Sequence, residues 1–215
     1  MLGLDYDQTG LYSQGMDATK VQRTARERLL DAADELFYAE GVHTVGIDRV
    51  IEKAGVAKAS LYGTFGSKEE LVCAYLEKRK QEREARVLAR IAPLRDPREK
   101  ILAIFDALEE RVAEPAFRGC AFVNATAEGP RDEGKARPVA LAMRAWVRDL
   151  FTSLAREIGV GDPPKLGRQL QVLYDGAMTG ASMEGETRLV ADARAMAASL
   201  IGAPARRRAP RSARR

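Results

Sequence analysis

The sequence has few of the residues that most often carry catalytic or metal chemistry. Among its 215 residues there are one histidine and two cysteines. Cys73 and Cys120 are far apart and lack companions at metal-ligand spacing, so we expect free thiols rather than a disulfide. The lone His43 cannot build a histidine metal site or a Ser–His–acid constellation. A glycine-rich phosphate loop is also missing, so these absences argue against an enzyme, a metal site and a bound cofactor.

Long apolar runs are missing as well. No run reaches the roughly 20 residues that a membrane-spanning helix needs. The first fifteen residues lack the basic and apolar segments of a secretory signal. With 46% hydrophobic residues, the chain is nevertheless long enough for one large or two small folded domains. We therefore expect a cytoplasmic protein without a membrane partner.

What is present is a stretch, 53–71, with the pattern of a helix-turn-helix. Gly55 can adopt the left-handed conformation of a sharp turn, and a short helix follows from about 58 to 65. Leu61 and Phe65 are four residues apart, so they predict the buried face of this short helix. The remaining side chains point outwards, where they can meet DNA: Lys58, Ser60, Tyr62 and Thr64.

The flanking residues predict a compact three-helix head followed by a longer fourth helix. Ser67 and Glu70 have capping-box spacing, so the fourth helix should start at Lys68. Its first turn presents backbone N–H groups and the Lys68 ammonium to an anion, which suits a DNA phosphate. Arg49 is a further basic residue of the head. The candidate DNA-binding residues are Lys58, Ser60, Tyr62, Thr64, Lys68 and Arg49.

The region from about 23 to 76 closely resembles the amino-terminal domain of the TetR family of transcriptional regulators. The matching residues are Arg28 to Ala33, Leu36, Phe37, Gly41, Val50, Ile51, Ala54 to Val56, Lys58, Ser60 to Tyr62, Phe65 and Ser67 to Leu71. The resemblance implies an all-helical homodimer whose carboxy-terminal domain binds a small ligand and thereby controls operator affinity. We accordingly predict an all-α fold, with the helix-turn-helix domain at 21–68 and a helical effector-binding and dimerisation domain at 69–203.

Three positions depart from the usual pattern of that family. Gly46 and Ala57 stand at helix starts where Ser or Thr is common, and alanine at a cap typically costs about 1 kcal/mol. Gly63 stands where the family usually carries a large aromatic or basic side chain. It has no side chain to touch DNA and weakens a short helix by up to about 1 kcal/mol. We therefore expect base reading to depend on fewer residues.

The net charge of +4 comes from the end of the chain. Six arginines and no acid lie in 206–215, so the rest of the sequence is slightly acidic. The Arg-, Ala- and Pro-rich tail at 204–215 cannot bury a core, and we predict it to be disordered, like the arm at 1–20. The tail is either an electrostatic aid to DNA binding or simply a solvated end.

Beyond the head, the sequence predicts further helices, with no clearly alternating strand and no internal repeat. Small residues concentrate in 166–181 and 189–201, which suits closely packed helices. From the residues alone, an interface between subunits and an intrachain packing face are about equally supported. The resemblance favours a homodimer.

Most bulky side chains also lie in this second part, where a mostly apolar cavity with a few polar groups would suit a small molecule. Ordinary core packing explains any single one of them well. The resemblance implies a pocket among these helices, and Trp146 is expected to border it. The candidate effector-binding residues are Phe105, Leu108, Phe122, Asn124, Trp146, Tyr174 and Met178.

These features together predict a ligand-responsive repressor, released from a palindromic operator on double-stranded DNA by a small apolar molecule. One recognition helix per subunit would enter successive major grooves. Two alternatives come from other classes. One is a weakly specific architectural DNA-binding protein that uses the arginine tail and has no effector. The other is an enzyme acting in the carboxy-terminal cavity, which the missing catalytic constellations disfavour.

Overall fold

The computed structural model describes residues 23–127 and 134–202. Within these two ranges the chain forms nine α-helices and no strand, which confirms the predicted all-α class. The arm predicted at 1–20 and the tail predicted at 204–215 lie outside the described residues. The helices are α1 (Ala25–Glu40), α2 (Ile47–Ala54), α3 (Lys58–Phe65), α4 (Lys68–Ile91), α5 (Pro97–Val112), α6 (Ala121–Ala127), α7 (Ala136–Ile158), α8 (Pro163–Glu184) and α9 (Arg188–Leu200).

Helices α1 to α3 form the predicted head, and α2, the turn and α3 form its helix-turn-helix. The first helix begins with a complete capping box, because the backbone N–H of Glu27 donates to Thr24 Oγ1 and the Glu27 carboxylate accepts from the Thr24 backbone N–H. Gly55 ends α2 with φ 61°, the left-handed conformation that the sharp turn requires. Apolar side chains such as Leu29 and Leu61 are fully buried between the three helices.

Helix α4 joins the head to the body. Ser67 caps it by accepting from the backbone N–H of Glu70 at 3.2 Å. The reciprocal bond of the predicted capping box is absent, because the Glu70 carboxylate instead pairs with Lys135 at the start of α7. At its amino-terminal end α4 packs on α1 through an edge contact of Tyr75 with Phe37. Its carboxy-terminal end reaches the body, so one continuous helix contacts both parts.

Helices α5 to α9 form the body. Helices α7 and α8 approach closely at Gly167, where an added Cβ would lie 2.1 Å from Thr152 Oγ1. Asp106 of α5 forms a mostly buried ion pair with Arg194 of α9, with Nε to Oδ1 at 2.6 Å. Buried side chains form one continuous cluster from α1 to the end of α9. The division into domains at 21–68 and 69–203 therefore stays a prediction, since the core itself runs across it.

Both cysteines are free thiols, as expected. Within 23–127 and 134–202 we find no group of three or more His, Cys, Asp or Glu side chains that could hold a metal ion. In the same ranges, none of the helices combines the length and the apolar character needed to cross a membrane.

Candidate nucleic-acid interface and effector cavity

Helix α3 has one buried side and one side open to solvent. Leu61 is completely buried, and Phe65 is partly buried against the head core. On the other side Lys58, Tyr62 and Thr64 are exposed and Ser60 is half-buried. The structure therefore brings the four α3 candidates to the outward face of the head. Their role in DNA binding stays a prediction.

Two basic candidates are held by carboxylates in this structure. Lys58 Nζ lies 3.0 Å from Asp48 Oδ1, and this hydrogen bond raises the pKa of Lys58. Arg49 forms a two-pronged pair with Glu40, with nitrogen–oxygen distances of 2.6 and 2.9 Å. Both pairs are solvent-exposed and individually weak, so the carboxylates hold these two basic side chains only loosely. Neither pair was visible in the sequence, because each joins two different helices.

Two of the unusual positions, Ala57 and Gly63, belong to α3, and their weakening of this helix stays a prediction. Ala57 is its N-cap and provides no side-chain hydrogen bond. An added Cβ at Gly63 would meet nothing within 4 Å, so the helix surface has an open position there.

Lys68 lies in the first turn of α4 and is half-buried. One contact that the sequence did not reveal supports the turn, since Arg28 Nη1 donates to the Gly55 carbonyl at 3.0 Å.

A first cavity, of about 220 Å³, lies where α4, α5, α6 and α8 meet. We call it the arginine cavity, because four arginines line it. Four of the predicted effector residues also line it: Leu108, Phe122, Tyr174 and Met178. Phe105 lies behind this wall, with its ring 6.1 Å from that of Tyr174.

A second cavity, of about 340 Å³, lies among α6, α7 and α8, and we call it the α7 cavity. It shares Arg83, Phe122 and Tyr174 with the arginine cavity. Asn124 and Trp146 line neither, so the expectation that they border the site is not met in these two cavities. Asn124 is exposed, and its Nδ2 donates a hydrogen bond to the Arg118 carbonyl at 2.9 Å. This bond closes the loop before α6. Trp146 is half-buried on another side of α7.

The lining of the arginine cavity is charged, and the expectation of a mostly apolar site is wrong for it. Its charged residues are Arg79, Glu82, Arg83, Arg86, Arg111 and Glu114. The charged stretch 77–90 lies in α4, and a charged helical stretch is usually a solvated surface. The signal that sequence reasoning missed is the spacing of Arg79, Arg83 and Arg86, which repeats at helical intervals and places them on one side of α4.

Tyr38 of the head helix α1 forms part of the cavity wall. Its hydroxyl donates to the Gly119 carbonyl at 3.0 Å and accepts from the Arg118 backbone N–H at 2.9 Å. The guanidinium carbons of Arg79 and Arg111 lie 3.7 and 5.3 Å from the centre of its ring. Arg79 Nε also donates to Asp34 of α1 at 2.6 Å. The cavity therefore has a direct contact with the helix-turn-helix head.

A helix-turn-helix head on an all-helical body with an internal cavity defines a transcription regulator of the helix-turn-helix class. Residues 29–75 match the family model described as bacterial regulatory proteins, tetR family. The whole fold is similar to SCO4454, a TetR-family transcriptional regulator from Streptomyces coelicolor, with 35% identity and a TM-score of 0.78. That similarity covers 83% of this chain and 94% of the other. The chain belongs to the TetR family.

Two curated relatives match mainly the head. An uncharacterized HTH-type transcriptional regulator of Mycobacterium tuberculosis, Rv1255c, is 32% identical over 90 residues, covering 41% of this chain and 45% of the relative. The HTH-type transcriptional activator FasR of Mycolicibacterium smegmatis is 35% identical over 82 residues, covering 38% of this chain and 37% of that protein. The matched region thus spans less than half the length of either relative. Membership in a family of regulators decides against the enzyme alternative.

Proposed function

We propose that this protein is a homodimeric transcription regulator that represses from a palindromic operator and is released by a small molecule bound in the body. The observation that carries the proposal is Tyr38, a residue of the DNA-binding head that forms part of the arginine-cavity wall. A ligand there contacts α1 or its neighbours directly. Occupancy of the cavity can therefore favour one position of the head over another, which is the coupling that release requires.

The DNA-binding surface is the outward face of α3 with the first turn of α4. In this proposal Tyr62 and Lys68 contact phosphates, whereas Lys58, Ser60 and Thr64 read bases, and Arg49 adds a phosphate contact. Phosphate contacts set position and base contacts set specificity. Alanine at Tyr62 or Lys68 should therefore weaken binding almost equally on all sequence variants of an operator. Alanine at Lys58 or Thr64 should change which bases are preferred.

The homodimer is supported by apolar surface that the monomer leaves uncovered on α8 and α9. Val172 is 68% exposed and Met196 is 58% exposed, and both line the same shallow surface depression. A two-fold interface places such a patch against its own copy. Two copies then present two α3 helices, so the half-sites of the operator should be related by a palindrome.

The test has two stages. First, genomic DNA fragments retained by the purified protein are sequenced to recover the operator. Second, operator affinity is titrated with and without candidate ligands, and ligand affinity with and without operator. By thermodynamic linkage, the factor by which the ligand weakens operator binding must equal the factor by which the operator weakens ligand binding. Retention of random fragments, with a steep salt dependence and no sequence preference, would instead support the architectural alternative.

The sign of regulation needs its own measurement, because one relative, FasR, is named an activator. Transcription from a promoter that contains the recovered operator is measured with the protein alone and with ligand. A repressor lowers the output and the ligand restores it. An increase on adding the protein would replace repression by activation while leaving the operator and the cavity in place.

A further inference from the structure

One of the four arginines that line the arginine cavity has no acidic partner among the described residues. Arg79 pairs with Asp34, and both Arg86 and Arg111 pair with Glu114. Among the described residues, Arg83 has no carboxylate within ion-pair distance. Its Nη2 instead lies 3.9 Å from Cys120 Sγ and 3.9 Å from Met178 Sδ.

The acids of the two cavities are already engaged. Glu114 pairs with Arg86 and Arg111, Glu82 pairs with Lys78, and Asp175 pairs with Arg144. No acidic residue of the described cavity lining is therefore left to neutralise Arg83. Arg83 lies where the two cavities join, since it lines both.

The surroundings of Arg83 are poor substitutes for water. Its side chain is mostly buried, with the guanidinium carbon 5.2 Å from the centre of the Phe122 ring. Thiol and thioether sulfurs are weak acceptors, and a guanidinium remains charged at any physiological pH. A buried charge without a good acceptor is destabilising, so this arrangement suits a site that is completed by an anion.

A second polar group lies beside Arg83. The Tyr174 side chain lines both cavities, and burial raises its pKa, so the hydroxyl stays protonated. It can donate a hydrogen bond to the same anion that Arg83 holds. Ala140, Leu141, Met143 and Val147 form an apolar wall of the α7 cavity, and Arg137, Arg144 and Asp175 add charged groups to its lining.

We propose that the effector is an amphipathic monocarboxylate, whose carboxylate binds Arg83 and Tyr174 and whose apolar part occupies the α7 cavity. A planar carboxylate matches the forked donors of a guanidinium, and it would give Arg83 the acidic partner that the other three arginines of the arginine cavity have. The volume of about 340 Å³ lies at the small end of ligand sites, which favours a compact molecule. The inference rests on the proposed function and names the chemistry of its ligand.

The first experiment needs no ligand. Arg83→Met replaces the guanidinium by an apolar chain among Cys120, Met178 and Phe122, so the melting temperature of the ligand-free, full-length protein should rise or stay unchanged. The matched control is Arg86→Met, which removes a paired arginine of the same cavity. A melting temperature lowered more by Arg83→Met than by Arg86→Met would show that Arg83 stabilises the fold, and would overturn the inference.

The second experiment measures binding of straight-chain monocarboxylates of six to twelve carbons and of the alcohols of the same lengths, by calorimetry with the full-length protein. The best carboxylate should bind at least tenfold more tightly than its alcohol. Arg83→Gln should abolish that preference, Arg83→Lys should retain part of it, and Arg86→Gln should leave it intact. Equal affinities for acid and alcohol, an unaffected Arg83→Gln, or no binding by any acid at millimolar concentration would each overturn the inference.

Measurements of operator affinity distinguish a failure of this inference from a failure of the proposed function. A carboxylate that binds through Arg83 but leaves operator affinity unchanged would support the site and contradict release by a ligand. An alcohol that releases the operator as well as its acid does would support release and contradict the role of Arg83. Release by the acid alone, lost in Arg83→Gln, supports both.

Discussion

Replacing Tyr38 by phenylalanine tests how strongly the head is attached to the body. The change removes one hydroxyl, which donates to the Gly119 carbonyl and accepts from the Arg118 N–H, and keeps the ring between Arg79 and Arg111. Tyr38 is only 9% exposed and Gly119 is buried, so the Gly119 carbonyl would lose its partner, whereas the Arg118 N–H belongs to an exposed residue. A hydrogen bond contributes about 0.5–1.5 kcal/mol net, and a buried group left unpaired costs about 1–3 kcal/mol. We therefore expect Tyr38→Phe to lower the free energy of unfolding by about 2–3 kcal/mol.

Urea unfolding at a fixed protein concentration measures this loss, with midpoint and slope compared between variants. For a chain of this size it corresponds to roughly 5–10 °C in melting temperature. Tyr62→Phe is the matched control, because it removes the same hydroxyl from a ring that is 48% exposed. The control should stay within about 0.5 kcal/mol of the wild type. If Tyr38→Phe were no more destabilising than the control, the hydroxyl would not join head to body and the coupling argument would lose its main support.

Three further predictions concern single sites. Gly167→Ala should destabilise the protein by about 1–3 kcal/mol in the same urea assay, because the new Cβ collides with Thr152; an unchanged midpoint would mean that α7 and α8 can separate at little cost. Ala57→Ser should stabilise by about 1 kcal/mol by supplying the missing cap of α3, and a loss of stability would show that the serine hydroxyl does not reach the helix amides. Val172→Asp should convert the dimer to a monomer in sedimentation at micromolar concentration while preserving the helical circular dichroism signal, and a dimer that persists would place the interface elsewhere.

The head could be predicted from the sequence because its signals are local. Gly55 takes the left-handed conformation, Ser67 caps α4, and Leu61 is buried, each within a few residues of the pattern that predicted it. Only one of the two hydrogen bonds of the predicted Ser67–Glu70 capping box forms, since the Glu70 carboxylate pairs with Lys135, which is 65 positions away in the sequence. A capping pattern cannot reveal such a competitor.

The cavity was the hardest part to predict, because its chemistry depends on contacts between distant segments. Leu108 and Tyr174 were selected as bulky residues, and the structure places both in the wall. Arg83 was passed over, since an arginine in a charged helical stretch is usually solvated. Only the packing of α6 and α8 over α4, which brings Met178 and Cys120 to this side chain, reduces its exposure to solvent.

The open position at Gly63 has a consequence for how this regulator can diverge. Nothing lies within 4 Å of the place that a side chain would occupy, so a new residue there needs no adjustment of the core. Most replacements would also favour the helix slightly, because glycine is among the poorest helix formers. If α3 binds DNA as proposed, a substitution at Gly63 can add a contact there without destabilising the fold. Among copies that arise by gene duplication, this is where recognition of different promoters can begin to separate, and where a designer can retarget the protein.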